Sequence, residues 1–238
     1  AGDAIICVFM ASKGSNGDLD ESACCQNAIQ CAVEIKNFTS VDLSCHVAVS
    51  YGEICFALLG GCEDRWTYLI NGDCLTELAE ALNDAASKEA VATATCYAKA
   101  NFSPADISVD AVPDKDSVKV TEVMKFASDV NDKRDSRGKI MLYFSELNKF
   151  VPSPVSASVA AGSFGILSEL RQVTTLFLKL DSYCRIEHRD LLSLQPFYMG
   201  VQELLAATGG YMRQFLVDDK GCVVIALWGV PGTTHPNN

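Results

Sequence analysis

Two places in this chain of 238 residues combine charge with a tight turn. At the start, Gly2-Asp3-Ala4 runs into the apolar stretch Ile5 to Met10. A carboxylate on a glycine turn at a strand junction can approach a hard cation with little obstruction. The plainer alternative is a surface turn aspartate. Near the other end, Arg213, Gln214, Asp218, Asp219 and Lys220 crowd the stretch YMRQFLVDDKG. They set donors and acceptors side by side; the alternative is an acidic hairpin tip closed by a turn lysine. Elsewhere the chemistry thins out. His46, His188 and His235 lie apart, with no nucleophile motif beside them. LLGGCEDRW lacks the Gly-Lys-Ser/Thr ending of a phosphate loop. The eleven cysteines show no zinc-type spacing. Most fall inside apolar patterns, which predicts reduced core thiols in a cytosolic compartment.

Composition narrows the function classes. The chain is 49% hydrophobic, enough for a sizeable core, and its net charge is −11 with a pI near 4.7. That balance argues against nucleic-acid binding, which needs basic patches to displace counterions. No apolar run approaches the roughly 18 to 20 residues of a membrane span. AGDAIICVFMASKG has no basic region ahead of its apolar stretch, so it reads as a core strand and not as a leader.

The elements that must position these residues begin with a repeat. AGDAIICVFM (1–10) and KGCVVIALWG (220–229) are each a glycine-containing turn running into an apolar strand with an aromatic near its end. Between them the pattern predicts a buried strand over 4–10 and a helix over about 22–38. The apolar face of that helix is expected at Cys24, Ala28, Cys31, Ile35 and Phe38. Two strands follow, joined by a hairpin turn at Gly52, and then a strand WTYLIN. A helix over about 74–87 comes next, with Leu75, Leu78, Leu82 and Ala85 on its apolar face. AVATAT is predicted as a strand, followed by short strands and turns to about Lys125. FVPSPVSASVAAGSFG has linker composition. A strand over 173–180, a helix over about 190–207 with Pro196 inside it, and a hairpin turning at Asp219-Lys220-Gly221 complete the order. The fold class is α+β, ferredoxin-like in flavour, divided as 1–125, a linker at 126–168, and 169–238.

ELRQVTTLFLKLDS and LQPFYMGVQELLAATGGYMRQFLVDDKGCVVIALWGVPG closely resemble the second catalytic domain of soluble-type, tandem class III adenylyl cyclases. AGDAIICVF, HVAVSYGEICFALLGG, WTYLINGD and LTELAEAL resemble the latter half of the first. The resemblance implies a class III nucleotide cyclase pseudo-heterodimer of βαββαβ domains, incomplete in this chain. A second cyclase domain or other chains would complete it. The implied substrate is ATP, converted to cyclic AMP and pyrophosphate, with Mg2+ or Mn2+ as cofactor. The implied location is cytoplasmic, in a cilium or flagellum.

By the same resemblance Asp3 is a catalytic metal ligand. Cys222 falls where the repeat places the equivalent of Asp3, and Lys179 falls where active copies carry the other metal aspartate. Asp181 shares the sheet face of Lys179 two residues on. Active copies also carry Asn and Arg on the helix after the Gly-Asp turn; counting from Gly72, those positions hold Thr76 and Glu80. A glutamate there would repel triphosphate, so the pocket touching that helix should be non-catalytic. Ala79 stands where bicarbonate-stimulated members carry an activator-binding Arg. Arg213, Gln214, Asp219 and Lys220 are implied substrate contacts, with Asp219 and Gln214 supplying the acceptor and donor that adenine needs. The polypeptide by itself is expected to be inactive. The alternative is a degenerate cyclase-homology module acting as a structural or regulatory subunit of a larger assembly.

Overall fold

Helix α1 (Glu21–Asn37) starts where Asp20 accepts a hydrogen bond from the Ala23 amide at 3.0 Å, an N-cap that satisfies one of the orphan donors of the first turn. It ends with Lys36 Nζ donating to the carbonyls of Val120 and Thr121 at 2.7 and 2.9 Å. The computed structural model describes residues 5–13, 17–38, 44–124, 144–152, 155–156, 159, 162, 172–180, 191–218 and 221–230. The chain divides into two compact units. One comprises Ala1–Ile54 and Gly72–Lys133; the other comprises Cys55–Asn71 and Arg134–Asn238.

In the first unit, strands β1 (Val47–Val49), β4 (Ala90–Ala92), β5 (Ile107–Ala111) and β6 (Val118–Val123) form a sheet in the order β1-β4-β6-β5. β1 and β4 are parallel, and the other pairs are antiparallel. Helix α1 buries Cys25, Ile29, Ala32 and Val33 against Ala90, Ala92, Ile107 and Val120. The buried face is therefore turned from the expected one, and Ile35 and Phe38 are exposed. Helix α3 (Ala94–Ala100) decides this, because Cys96 and Ala100 belong to the same core. Ser22 and Gln26 both donate to the Ala100 carbonyl, at 2.9 and 2.8 Å.

Three expectations are corrected here. AVATAT is a strand only as far as Ala92. Thr93 then accepts from the Cys96 amide at 3.3 Å and caps α3, whose alanines favour helix. Gly52 turns no hairpin, since β1 pairs with β4 while β2 (Cys55–Gly60) pairs with β3 (Trp66–Asn71). What Gly52 permits is contact: a Cβ there would lie 2.8 Å from that of Cys74, on helix α2 (Asp73–Asp84). The segment 5–10 is not a strand, and Ile5 and Met10 are 89% and 86% exposed. Among the described residues no strand lies beside it to complete a ladder. Residues 1–4 fall outside those described.

In the second unit, β2 and β3 form an antiparallel hairpin from Cys55↔Asn71 to Gly60↔Trp66. Gly60 has φ 128°, and a Cβ there would meet the Arg65 carbonyl at 2.3 Å. Strands β7 (Thr174–Leu180), β8 (Tyr211–Asp218) and β9 (Gly221–Trp228) form a second sheet, ordered β7-β9-β8. Helix α4 (Gln195–Thr208) has Pro196 in its first turn, where a missing N–H costs nothing. The regular helix accordingly begins there, after a 3-10 turn at Leu191–Leu194. Gly209, at φ 68°, stops it. Tyr198, Leu194, Phe215, Cys222 and Val224 pack with Ala57, Leu59 and Leu69 of the hairpin. Gln195 fastens this layer: its Oε1 accepts from the Gly60 amide at 2.9 Å and its Nε2 donates to the Gly60 carbonyl at 2.7 Å.

Candidate functional site

Strand alternation separates the two faces of the β7-β9-β8 sheet. Cys222, Val224 and Ala226 are buried on one face, opposite Leu180, Leu178 and Leu176 of β7. Val223, Ile225 and Leu227 therefore point to the other face. Phe177, Ile225 and Gln214 form one row across that second face; Lys179, Val223 and Leu216 form the next. Phe177 and Lys179 are exposed, and Gln214 is half-buried. At about 4.8 Å per strand, Phe177 and Gln214 stand roughly 10 Å apart.

A bulge sets this arrangement. Met212 pairs with Ala226 and Gln214 with Ile225, so Arg213 is the extra residue between them. Without it, Met212 and Gln214 would share a face; with it, Met212 joins the core while Gln214 turns outward. Arg213 is exposed. Burial pushes the Tyr211 phenol up, and the nearby Arg213 guanidinium opposes that shift. The periodicity of YMRQFLVDD gave no sign of the bulge, because a β-bulge of this kind needs no glycine.

The expected site residues divide unevenly. Arg213 and Gln214 are neighbours on β8, and Lys179 shares the face of Gln214. Asp218 pairs with Gly221 at the hairpin end. Asp3, Asp181, Asp219 and Lys220 lie outside the described residues, as does His188. Cys222 is 0% exposed, in a core that holds no place for a hydrated cation.

Glu80 stands on a different surface, in the first unit. With Glu77 and Asp84 it lines a cleft of about 140 Å³, faced by Thr93, Thr95, Lys115 and Ser117. Thr95 Oγ1 donates to Glu77 Oε2 at 2.9 Å, and Lys115 Nζ lies 3.5 Å from Asp84. Three carboxylates against one ammonium disfavour a phosphate there. The spacing of Glu77, Glu80 and Asp84 was readable as one helix face, but the hydroxyls opposite come from other elements and carried no local signal.

The described residues do not fit a divalent metal. None of their His, Cys, Asp and Glu side chains form a group of three that could hold one, and Lys179 brings an ammonium to the second sheet face, beside the buried Val223. The ten described cysteines are thiols, of which Cys25, Cys74, Cys96 and Cys222 are buried. Burial pushes the Cys96 thiol far up, so it is inert as a nucleophile or ligand. No helix among the described residues is long and apolar enough to cross a membrane.

No protein-family model matches the sequence. The chain is similar to human adenylate cyclase type 10. The two are 20% identical over 273 residues, covering 100% of this chain and 16% of that protein. The likeness supports a distant, cyclase-like relationship over the whole chain, which spans about a sixth of the length of the human protein.

Proposed function

We propose that this chain is a section of an adenylyl-cyclase-like protein: residues 1–125 belong to a first catalytic domain, 126–168 to a linker and 169–238 to a second domain, both domains of βαββαβ type. The observation that carries this reading is the likeness to adenylate cyclase type 10 along the full chain. The reaction is attack of the ATP ribose 3′-oxygen on the α-phosphorus, giving cyclic AMP and pyrophosphate. In this reading the face of β8 that carries Gln214 receives the base. Gln214 donates to a ring nitrogen, Asp219 accepts from the exocyclic amine, and Arg213 and Lys220 border the same hairpin. The outward turn of Gln214 at the bulge supports that role, since a buried amide could not meet a ligand. Asp3 is the candidate ligand for Mg2+ or Mn2+, whose chemistry would be to stabilise charge on the phosphates.

The polypeptide alone is expected to make no cyclic AMP. Its second copy of the repeat has Lys179 and Cys222 where carboxylates would be needed, and Cys222 is enclosed by apolar side chains. The assay is incubation with ATP and Mn2+ or Mg2+, with cyclic AMP quantified; turnover above buffer refutes the expectation. The base-binding role is tested separately by calorimetry with ATP. Gln214→Ala, which removes one hydrogen bond, should weaken binding roughly fivefold; equal affinity would remove Gln214 from the site.

A further inference from the structure

Three contacts fix the course of the chain ahead of α1. The Asp20 amide donates to the Ser12 carbonyl at 2.9 Å, and Lys13 forms an antiparallel bridge with Leu19. Farther back, Phe9 and Met10 line a groove of about 80 Å³ with Asp20, Ala23, Cys24 and Asn27. The chain therefore retraces the helix in the opposite direction. From Ser12 back to Cys7 an extended chain covers about 16 Å. From Asp20 on to Cys31 a helix covers about the same 16 Å. Cys24, Asn27 and Cys31 share one helix face, at spacings of three and four. The register thus brings Cys7 to Cys31. The electrostatics agree with it: burial pushes the Cys31 thiol up, and Cys7 adds to that shift ahead of Glu34.

We propose that Cys7 and Cys31 are a redox modification site, oxidised by a peroxide to a disulfide that ties the N-terminal segment to α1. Burial assigns the two roles. Cys7 is exposed and meets the oxidant first, while Cys31 is half-buried and stays a protonated thiol until its partner has reacted. The Cys7 thiolate attacks one peroxide oxygen, the O–O bond breaks, and Cys7 becomes a sulfenic acid as water leaves. The Cys31 sulfur then attacks the Cys7 sulfur, the S–O bond breaks, and a second water carries off the remaining thiol proton. Two thiols give up two electrons, and hydrogen peroxide takes them to become two waters. Other thiols of this unit are poorer partners. Cys25 and Cys96 are 4% and 1% exposed, closed to a dissolved oxidant. Cys24 lies against Phe9 and Met10, roughly 11 Å along the helix from Cys31. Burial, then the carboxylates of Asp20 and Glu21, pushes its thiol up. The inference uses no nucleotide chemistry, so it stands or falls apart from the cyclase reading.

The test treats the whole, reduced 238-residue chain with hydrogen peroxide, digests it without reductant, and assigns each bond by fragmenting the linked peptides in a mass spectrometer. Cys7–Cys31 is expected as the predominant disulfide, and dithiothreitol should reverse it. In Cys31→Ser the sulfenic acid at Cys7 loses its resolving thiol, so dimedone should trap it at least about tenfold more than in the unsubstituted chain. Cys24→Ser should leave the bond as it was. The mapping on the unsubstituted chain decides the matter even if Cys31→Ser fails to fold. A predominant Cys7–Cys24 bond overturns the proposal, because the register would then be wrong. A bond that joins two chains overturns it as well. So does recovery of Cys7 as a sulfinic acid with no bond formed, since that would mean Cys31 is out of reach.

Discussion

Gly221–Trp228 and Ile5–Met10 share a residue pattern and differ in what lies beside them. The later segment is a strand because β7 and β8 satisfy both its edges and α4 covers one face. The earlier one is exposed along its whole length, and it forms no ladder among the described residues. Side-chain preference is nearly equal in the two, both being rich in Val, Ile and aromatics. The difference therefore comes from hydrogen-bonding neighbours. β-propensity measures how well a residue fits a pleated, half-buried surface, and it cannot create that surface.

The sharpest way to break this comparison is to give both copies the same insult. Cys222→Asp puts a carboxylate at the position that aligns with Asp3, in a core where Cys222 is fully enclosed. An unpaired buried charge should cost about 3–5 kcal/mol in urea unfolding of the second unit. Ile5→Asp, on a side chain 89% exposed, should change stability by less than about 0.5 kcal/mol. Equal costs would mean that 5–10 is packed in solution as β9 is, and the contrast would dissolve.

The sequence was most legible where local chemistry and tertiary environment agree. The strand read over 173–180 is found at Thr174–Leu180 and the helix stop at Gly209, both following from periodicity and turn residues; β8 and β9 pair as the closing hairpin requires, its turn residues Asp219 and Lys220 lying outside those described. Two of the misreadings share one cause, which is that the deciding partner is remote in sequence. Gly52 looked like a turn, but it is spared a side chain by Cys74, over twenty residues on. The α1 face was set by α3 and β6, about seventy to ninety residues away. Thr93 would fit a strand by propensity, yet its side chain caps α3. Of the site, residue types were legible, while the orientation of Gln214 was not. It depends on one unpaired residue, Arg213, whose effect on register appears only when β9 is aligned beside it.

A second test separates the copies by pH. Tyr198 of α4 is buried against Phe215, with ring centroids 4.9 Å apart and an interplanar angle of 86°. Burial pushes its phenol up to about 12, against the opposing effect of a hydrogen bond with Thr67. The folded value lies above the unfolded one of about 10, so the folded state holds the proton more tightly. The stabilisation is complete below about pH 10 and is lost as pH rises toward 12. Over that window the second unit should lose about 2–3 kcal/mol. Tyr198→Phe should remove the slope at a cost of about 1 kcal/mol at neutral pH. Hydrogen exchange can read β9 and the α1 core separately; a matching alkaline loss in α1 would show that the effect is not local to α4.

The smallest effect concerns the β2–β3 hairpin packed within the second unit. Gln195 uses both ends of one amide on Gly60, accepting from its N–H and donating to its carbonyl. No other residue type of similar length presents a donor and an acceptor in that fixed pairing. Gln195→Ala should therefore cost about 1–2 kcal/mol, because two part-buried backbone groups lose their partners. Gln195→Glu keeps the acceptor while losing the donor, and should fall between the two. The change should speed exchange in β2 and β3 and leave β4 and β6 as they were. Unaltered exchange in β2 and β3 would mean that apolar packing of Ala57, Leu59 and Leu69 holds the hairpin without the amide. The hairpin would then owe its place to side-chain burial alone.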